Sequence, residues 1–196
     1  MTITGIVLAA GASQRMGEPK LLLPHGDGTV LGSTVQVVAR STVDHIIVVT
    51  GPHDAVIEAT LGDAGIAVVK NPDPSRGNMS SLLSATDADD QAEAFILVAG
   101  DLPTMRSAVI DSLVDLWDKK APWAAVTTYS DRITHPFLLS RAAIDELRSS
   151  QGSKVLWRAL VASDDTRVVR VPRADLAPID VNTREDYERL IEHGQS

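Results

Sequence analysis

Gly11, Arg15, Gly17 and Lys20 lie in the stretch LAAGASQRMGEPKLLLP, residues 8–24, directly behind an apolar run. These residue types in this order suit an anion. Glycines let a backbone turn tightly, and small neighbours let its N–H groups approach the ligand. An arginine can fork two phosphate oxygens, and a lysine adds a mobile point charge. A carboxylate of interest, Asp101, follows a second apolar run in ILVAGDLPTM. Mg²⁺ prefers one or two carboxylates, several waters and phosphate oxygens, so one aspartate beside a phosphate loop is a sensible metal ligand. By itself the Gly-Asp pair reads as a turn or helix cap before Pro103 rather than as a metal ligand.

The elements that must position these residues are short apolar runs rich in Val and Ile: TGIVLAA (4–10), HIIVVT (45–50), IAVVK (66–70), AFILVAG (94–100), AAVTTY (124–129) and TRVVRV (166–171). Several lack strict alternation, as strands covered on both faces do. Helical patterns lie between them. In 106–119, Val109, Leu113, Leu116 and Trp117 share a face, and 31–39 and 140–148 are shorter candidates. The alternation predicts an α/β fold, a Rossmann-like, doubly wound and mostly parallel sheet with helices on both faces. TTYSDRITHPFLL (127–139) predicts a pair of irregular strands, an insertion at the sheet edge. In such a sheet ligands bind beyond the carboxyl ends of the strands, which is where residues 8–24 fall. The loop matches neither G-x-G-x-x-G nor the Walker spacing, since five residues separate its glycines and Glu18 follows the second. Taken alone, it is either a phosphate loop of another kind or a surface turn with two solvated cations.

Composition narrows the classes. The 196 residues suit one domain, 1–196, with 44% hydrophobic and 22% charged residues and a net charge of -8. An acidic chain argues against nucleic acid or an anionic membrane as partner. The absence of cysteine excludes disulfides, thiolate metal sites and thiol catalysis. MTITGIVLAAGAS lacks the basic flank and apolar length of a signal peptide and reads as a buried first strand, so a cytoplasmic location is expected. His25, His45, His53 and His193 show no metal-ligand spacing.

The 8–24 stretch resembles the signature of the MobA-like nucleotidyltransferases, specifically their molybdenum cofactor cytidylyltransferase branch, whose pattern is roughly L-A-A-G-x-S-x-R-M-G-x-x-K. Every fixed position is met. The resemblance implies a Rossmann-like domain that binds a nucleoside triphosphate and Mg²⁺, with Leu8, Ala9, Ala10, Gly11, Arg15 and Lys20 around the nucleotide. The guanylyltransferase branch typically has glycine where this chain has Ala10, so the similarity favours cytosine. GDLP resembles the family's metal-binding G-D-x-P and makes Asp101 the leading catalytic candidate, together with Arg15 and Lys20. In the family's D-x-D-T-P-E-D the second acid coordinates the metal. Here that position is Asn182, an uncharged oxygen donor, Arg184 replaces the proline, and Asp180 is the lesser participant. Thr183 and Asp186 have the spacing of a capping box, which leaves Tyr187, Leu190 and Ile191 facing the core.

For the acceptor, KNPDPSRGNMSSLLSA (70–85) joins a strand to a helix whose first turn holds Ser80 and Ser81, groups that suit a phosphate monoester. Capping explains them as well. The resemblance assigns Asn71 and Gly77 to the nucleotide and Ser80, Ser81 and His135 to the acceptor. Thr134 stands where the family has glycine, and QGSKVLWR (151–158) departs from G-D-x-G-x-R, with Lys154 or Arg158 as replacements. The implied reaction is transfer of CMP from CTP to the terminal phosphate of a molybdopterin-type cofactor, with Mg²⁺ and release of pyrophosphate. A molybdoenzyme would receive the product. The alternatives are a guanylyl, sugar-phosphate or other small-phosphate nucleotidyltransferase, and a noncatalytic module that delivers the cofactor.

Overall fold

In the computed structural model, residues 1–11, 16–51, 54–61, 65–150 and 154–193 are described. The apolar runs form strands at or near their expected places. β1 (Ile3–Leu8) leads through a small hairpin, β2 (Pro24–His25) and β3 (Gly28–Thr29), into α1 (Val30–Ala39). β4 (His45–Thr50), α2 (Asp54–Leu61), β5 (Ala67–Lys70), α3 (Asn78–Ala88) and β6 (Ala94–Ala99) follow. The second half contributes α4 (Ser107–Lys120), β7 (Ala124–Thr128), β8 (Ile133–Ser140), α5 (Arg141–Leu147), α6 (Val155–Leu160), β9 (Val168–Pro172) and α7 (Arg184–His193).

Seven strands make one sheet in the order β5-β4-β1-β6-β8-β7-β9. β1 pairs in parallel with β4 and β6, β4 with β5, and β7 with β9, while β8 runs antiparallel to both its neighbours. The period-two geometry of a strand splits its apolar residues between two cores. Val7, Val48, Ile96 and Leu138 join Leu31 and Val35 of α1 and Ile110 and Leu113 of α4 on one face. Ile6, Ile47, Phe95, Leu97 and Leu139 join Met79 and Leu82 of α3, Ile144 of α5 and Leu156 of α6 on the other. Burial on both faces is why these runs read as continuous rather than alternating.

The expected edge insertion is corrected. β8 lies inside the sheet, between β6 and β7. Pro136–Ser140 are buried, as a two-faced strand requires. A proline cannot donate to a ladder and belongs at edges or bulges. The β7–β8 register shifts between Val126 and Thr127, whose partners are Phe137 and Thr134, so His135 and Pro136 fall in that irregularity.

Local chemistry fixes the helix starts. Thr29 Oγ1 accepts from Gly32 N at 3.0 Å before α1, and Ser140 Oγ accepts from Ala143 N at 3.1 Å before α5. The capping box before α7 forms as expected, with Asp186 Oδ2 accepting from Asn182 N and Thr183 N at 3.1 and 2.9 Å. α7 sets Leu190 against Leu23, Val30 and Val181, with Tyr187 packed beside them. That small cluster brings the chain near its C-terminus to the rim of the sheet where the parallel strands end. Among the described residues no helix is long and apolar enough to cross a membrane.

Candidate active site

Ala9 and Ala10 leave β1 almost fully buried. Ala9 N donates to Val49 O at 2.8 Å, and Gly100 N donates to Leu8 O at 3.0 Å, so the ends of β4 and β6 clamp the start of the loop. The clamp is tight. A Cβ on Gly51 would stand 2.9 Å from Ala10 O, and one on Gly100 would stand 2.8 Å from Leu8 O. Gly51 and Gly100 therefore shape the start of the first loop; Gly100 belongs to the GDLP motif, whereas Gly51 was not singled out. Their signal was a glycine ending each of two apolar runs, VVTG and LVAG. Arg15, assigned to the phosphates, lies outside the described residues.

Lys20 opens a short 3-10 turn, Lys20–Leu22, anchored by the buried Leu21. Its Nζ donates to Asp101 Oδ2 at 2.5 Å and to Asn182 Oδ1 at 3.0 Å. The Lys20 and Asp101 side chains are only 15% and 14% exposed, so solvent and salt screen the pair weakly. Asn182 is brought within reach by the backbone of the residue before it, since Val181 N donates to Asp101 O at 3.1 Å. Two oxygens from distant parts of the chain thus converge on one positive charge. An ammonium held by a carboxylate and an amide oxygen shows that this donor set suits a cation. It is also the hard-oxygen set Mg²⁺ takes, with waters and phosphate completing the shell.

Asp180 stands closer to this centre than sequence reasoning allowed. Its Oδ2 is 3.7 Å from an Arg132 guanidinium nitrogen, and its Oδ1 is buried with no hydrogen-bond partner among the described residues. Burial, and next the neighbouring Asp101 charge, push its carboxyl up to about 6, against the opposing pull of Arg132 and Lys20.

A cavity of about 210 Å³ opens between the first loop and α3, lined among others by Leu8, Ala10, Gly11, Lys20, Gly77, Ser81 and Asp101. Seven of the residues singled out from sequence therefore face one space. Asn78, which begins α3, lines it too and was not singled out. Gly77 has φ +84, a left-handed conformation that a residue with a side chain adopts only under strain.

Asn71 and Ser80 play a supporting part instead of lining the cavity. Asn71 is 2% exposed, and its Nδ2 donates to Ser80 Oγ and Ser81 Oγ, each at 2.9 Å. Its Oδ1 accepts from Asp73 N at 2.9 Å. Ser80 Oγ also donates to Gly77 O at 2.8 Å. The amide is thus a rivet that fixes the turn between β5 and α3, and Ser81 is the serine that reaches the cavity. His135 sits on β8 with Nδ1 3.1 Å from Leu97 O. A carbonyl only accepts, so Nδ1 carries the proton and Nε2 is left as an acceptor. Burial lowers its pKa, against the weaker opposing effects of Leu97 O and Asp101. Lys154 precedes α6 and Arg158 lies on it, and neither is among the described residues lining the cavity.

The arrangement can hold an anion at a cramped glycine-bearing turn, beside a weakly screened ammonium and a cluster of oxygens fit for a divalent cation. Comparison with known proteins agrees with that chemistry. The chain is 28% identical over 183 residues to the molybdenum cofactor cytidylyltransferase of Escherichia coli (strain K12), covering 93% of this chain and 92% of the relative. It is 30% identical over 200 residues to a probable molybdenum cofactor guanylyltransferase of Mycolicibacterium paratuberculosis (strain ATCC BAA-968 / K-10), covering 98% and 96%. The crystal structure of Rv0371c from Mycobacterium tuberculosis H37Rv in complex with manganese superposes with a TM-score of 0.81 at 31% identity, covering 98% of this chain and 99% of that one. The profile of the MobA-like NTP transferase domain matches residues 5–168, which include the first loop, both clamping glycines, Lys20 and Asp101, and so the chain belongs to the MobA-like NTP transferase family.

Proposed function

We propose that the protein transfers CMP from CTP to the terminal phosphate of a molybdopterin-type cofactor and releases pyrophosphate. The observation that carries this reading is the convergence of Lys20, Asp101 and Asn182, the first two lining one cavity with Leu8, Ala10 and Gly11. The full-length similarity to a molybdenum cofactor cytidylyltransferase supports the choice of acceptor, and Ala10 in the Ala-Ala-Gly turn supports the choice of base.

An oxygen of the acceptor's terminal phosphate attacks the α-phosphorus in line, the new P–O bond forms, and the bond to the β-phosphate oxygen breaks. An ionised phosphate needs no general base, so catalysis is positioning and charge stabilisation. The N–H groups of the first loop and the Lys20 ammonium hold the triphosphate, with Arg15 assigned to the same task. Lys20 then stabilises charge as it moves onto the leaving pyrophosphate. Asp101 and Asn182 would hold Mg²⁺, which when bound neutralises phosphate charge in the transition state. That M. tuberculosis relative was solved with manganese, which supports a divalent cation here. Ser81, supported by Ser80, and His135 Nε2 are the groups assigned to the acceptor.

The test is a pyrophosphate-release assay with CTP, GTP, UTP and ATP, Mg²⁺ and purified cofactor, followed by mass analysis of the product. A cytidine dinucleotide of the cofactor is expected. Preference for GTP would overturn the cytosine assignment and favour the activity of the guanylyltransferase relatives. Tight cofactor binding with no nucleotide consumed would overturn catalysis.

A further inference from the structure

Asn182 supplies an oxygen to the candidate metal centre but no charge. Among the described residues that leaves Asp101 as the one anion in contact with the cation position, and Lys20 competes for it. A dication held by a single carboxylate and an amide is poorly compensated, because affinity at hard-oxygen sites follows ligand charge.

The segment before α7 offers the missing charge. Val181 is fully buried among Leu23, Val30 and Leu190, and its N–H is fixed on Asp101 O. With Val181 pinned on both counts, its two neighbours are the polar pair of the segment. Asn182 reaches Lys20 Nζ, and Asp180 lies within the electrostatic reach of both Asp101 and Lys20. The nearest cation otherwise available to Asp180, Arg132, is 3.7 Å from Oδ2, beyond a hydrogen bond, and is engaged by Asp131 Oδ2 at 2.9 Å and Pro178 O at 2.8 Å. Asp180 Oδ1 is buried with no partner among the described residues. A buried carboxylate oxygen without a donor calls for a partner such as a bound water or ion.

We propose that Asp180 is a third oxygen donor to the divalent cation held by Asp101 and Asn182, directly or through one bound water, and supplies the negative charge that Asn182 lacks. The inference rests on the nucleotidyltransferase reading above.

The experiment is a Mn²⁺ titration followed by electron paramagnetic resonance, with CTP present and acceptor omitted. Asp180→Asn preserves shape and removes the charge, and it is expected to weaken Mn²⁺ binding about tenfold, on the order expected for loss of a metal-site partner. Asp180→Asn combined with Asn182→Asp moves the charge two residues along and is expected to restore most of the affinity. A merely structural Asp180 would give no such rescue. Unchanged Mn²⁺ affinity in Asp180→Asn overturns the inference, as does a folded double variant that stays weak. If Asp180→Asn fails to fold, Asp180→Ser is measured against the same expectation. Wild-type protein that takes up neither CTP nor Mn²⁺ sinks the nucleotidyltransferase reading itself. Wild-type uptake with an unaffected Asp180 variant sinks only the role of Asp180.

Discussion

The Lys20 ammonium sits between Asp101 Oδ2 at 2.5 Å and Asn182 Oδ1 at 3.0 Å, on the two oxygens assigned to a divalent cation. Two cations cannot occupy that one position. A dication that takes these oxygens must shift Lys20, and the triphosphate is the anion ready to receive it. Metal and nucleotide binding are therefore coupled through one side chain. Lys20→Met is expected to bind Mn²⁺ several-fold more tightly than wild type without nucleotide, because Asp101 loses its internal counter-ion. The same variant is expected to lose about a hundredfold in turnover, the usual scale for removing a well-placed cation from a transition state. Titration with and without CTP, beside single-turnover rates, checks both halves. Mn²⁺ affinity unchanged by the substitution would show that ion and ammonium do not compete.

Much of this arrangement was legible in the sequence, and the parts that were not share a physical cause. Leu8, Ala10, Gly11, Lys20 and Asp101 form a local pattern of small residues, cation and carboxylate at strand ends, and the fold places these five around one cavity. Continuous Val and Ile runs announced a two-faced, mostly parallel sheet, which is present. β8 was misplaced because a strand's position in a sheet depends on pairing across the whole chain, and the irregular pattern of 127–139 carries no information about its neighbours. Asp180 was undervalued for the same kind of reason. Its environment comes from Asp101, Arg132 and Lys20, all distant in sequence. Asn71 was read as a ligand contact, but a buried amide is equally suited to fastening a turn, and only geometry separates the two.

Gly51 tests the clamp on the first loop. Its missing Cβ leaves just enough room for Ala10, whose carbonyl oxygen would otherwise lie at 2.9 Å, with Ala10 Cα at 3.1 Å. The obstruction is backbone, so Gly51→Ala must push the loop outward. Overpacking of this kind costs about 1–3 kcal/mol. The variant is expected to fold, to unfold at lower urea concentration, and to lose at least about tenfold in affinity for CTP by calorimetry. Loss of stability with full nucleotide affinity would mean that the N–H groups of the loop do not hold the ligand.

Asn71 makes a complementary case, in which stability should suffer more than chemistry. Asn71→Ala removes bonds to Ser80, Ser81 and Asp73 at once and leaves buried polar groups without partners. The expected cost is about 2–4 kcal/mol by urea denaturation, on the scale of a lost buried network. Because Ser81 borders the cavity, a rise in KM for the acceptor should accompany it, with kcat less affected. A variant as stable as wild type with a collapsed kcat would instead place the amide in direct contact with the reacting groups.

Asp180 finally gives the protein a pH signature that can be read without substrates. An ordinary aspartate has a pKa of 3.8, and burial together with the Asp101 charge raises this one to about 6. Between those values the folded chain holds a proton that the unfolded chain has released, so stability falls as pH rises from about 4 to 6 and stays lower above. The side chain is 33% exposed, so screening limits the loss to about 1–2 kcal/mol. Asp180→Asn has no proton to lose. In metal-free buffer its melting temperature is expected to match wild type near pH 4 and to exceed it by roughly 2–6 °C at pH 7, by the usual conversion for a chain of this size. Scanning calorimetry of the two proteins across that range cancels the other carboxylates, since both chains carry them. A difference in melting temperature that does not change with pH would show that Asp180 ionises as an exposed aspartate does and that its surroundings impose no charge penalty.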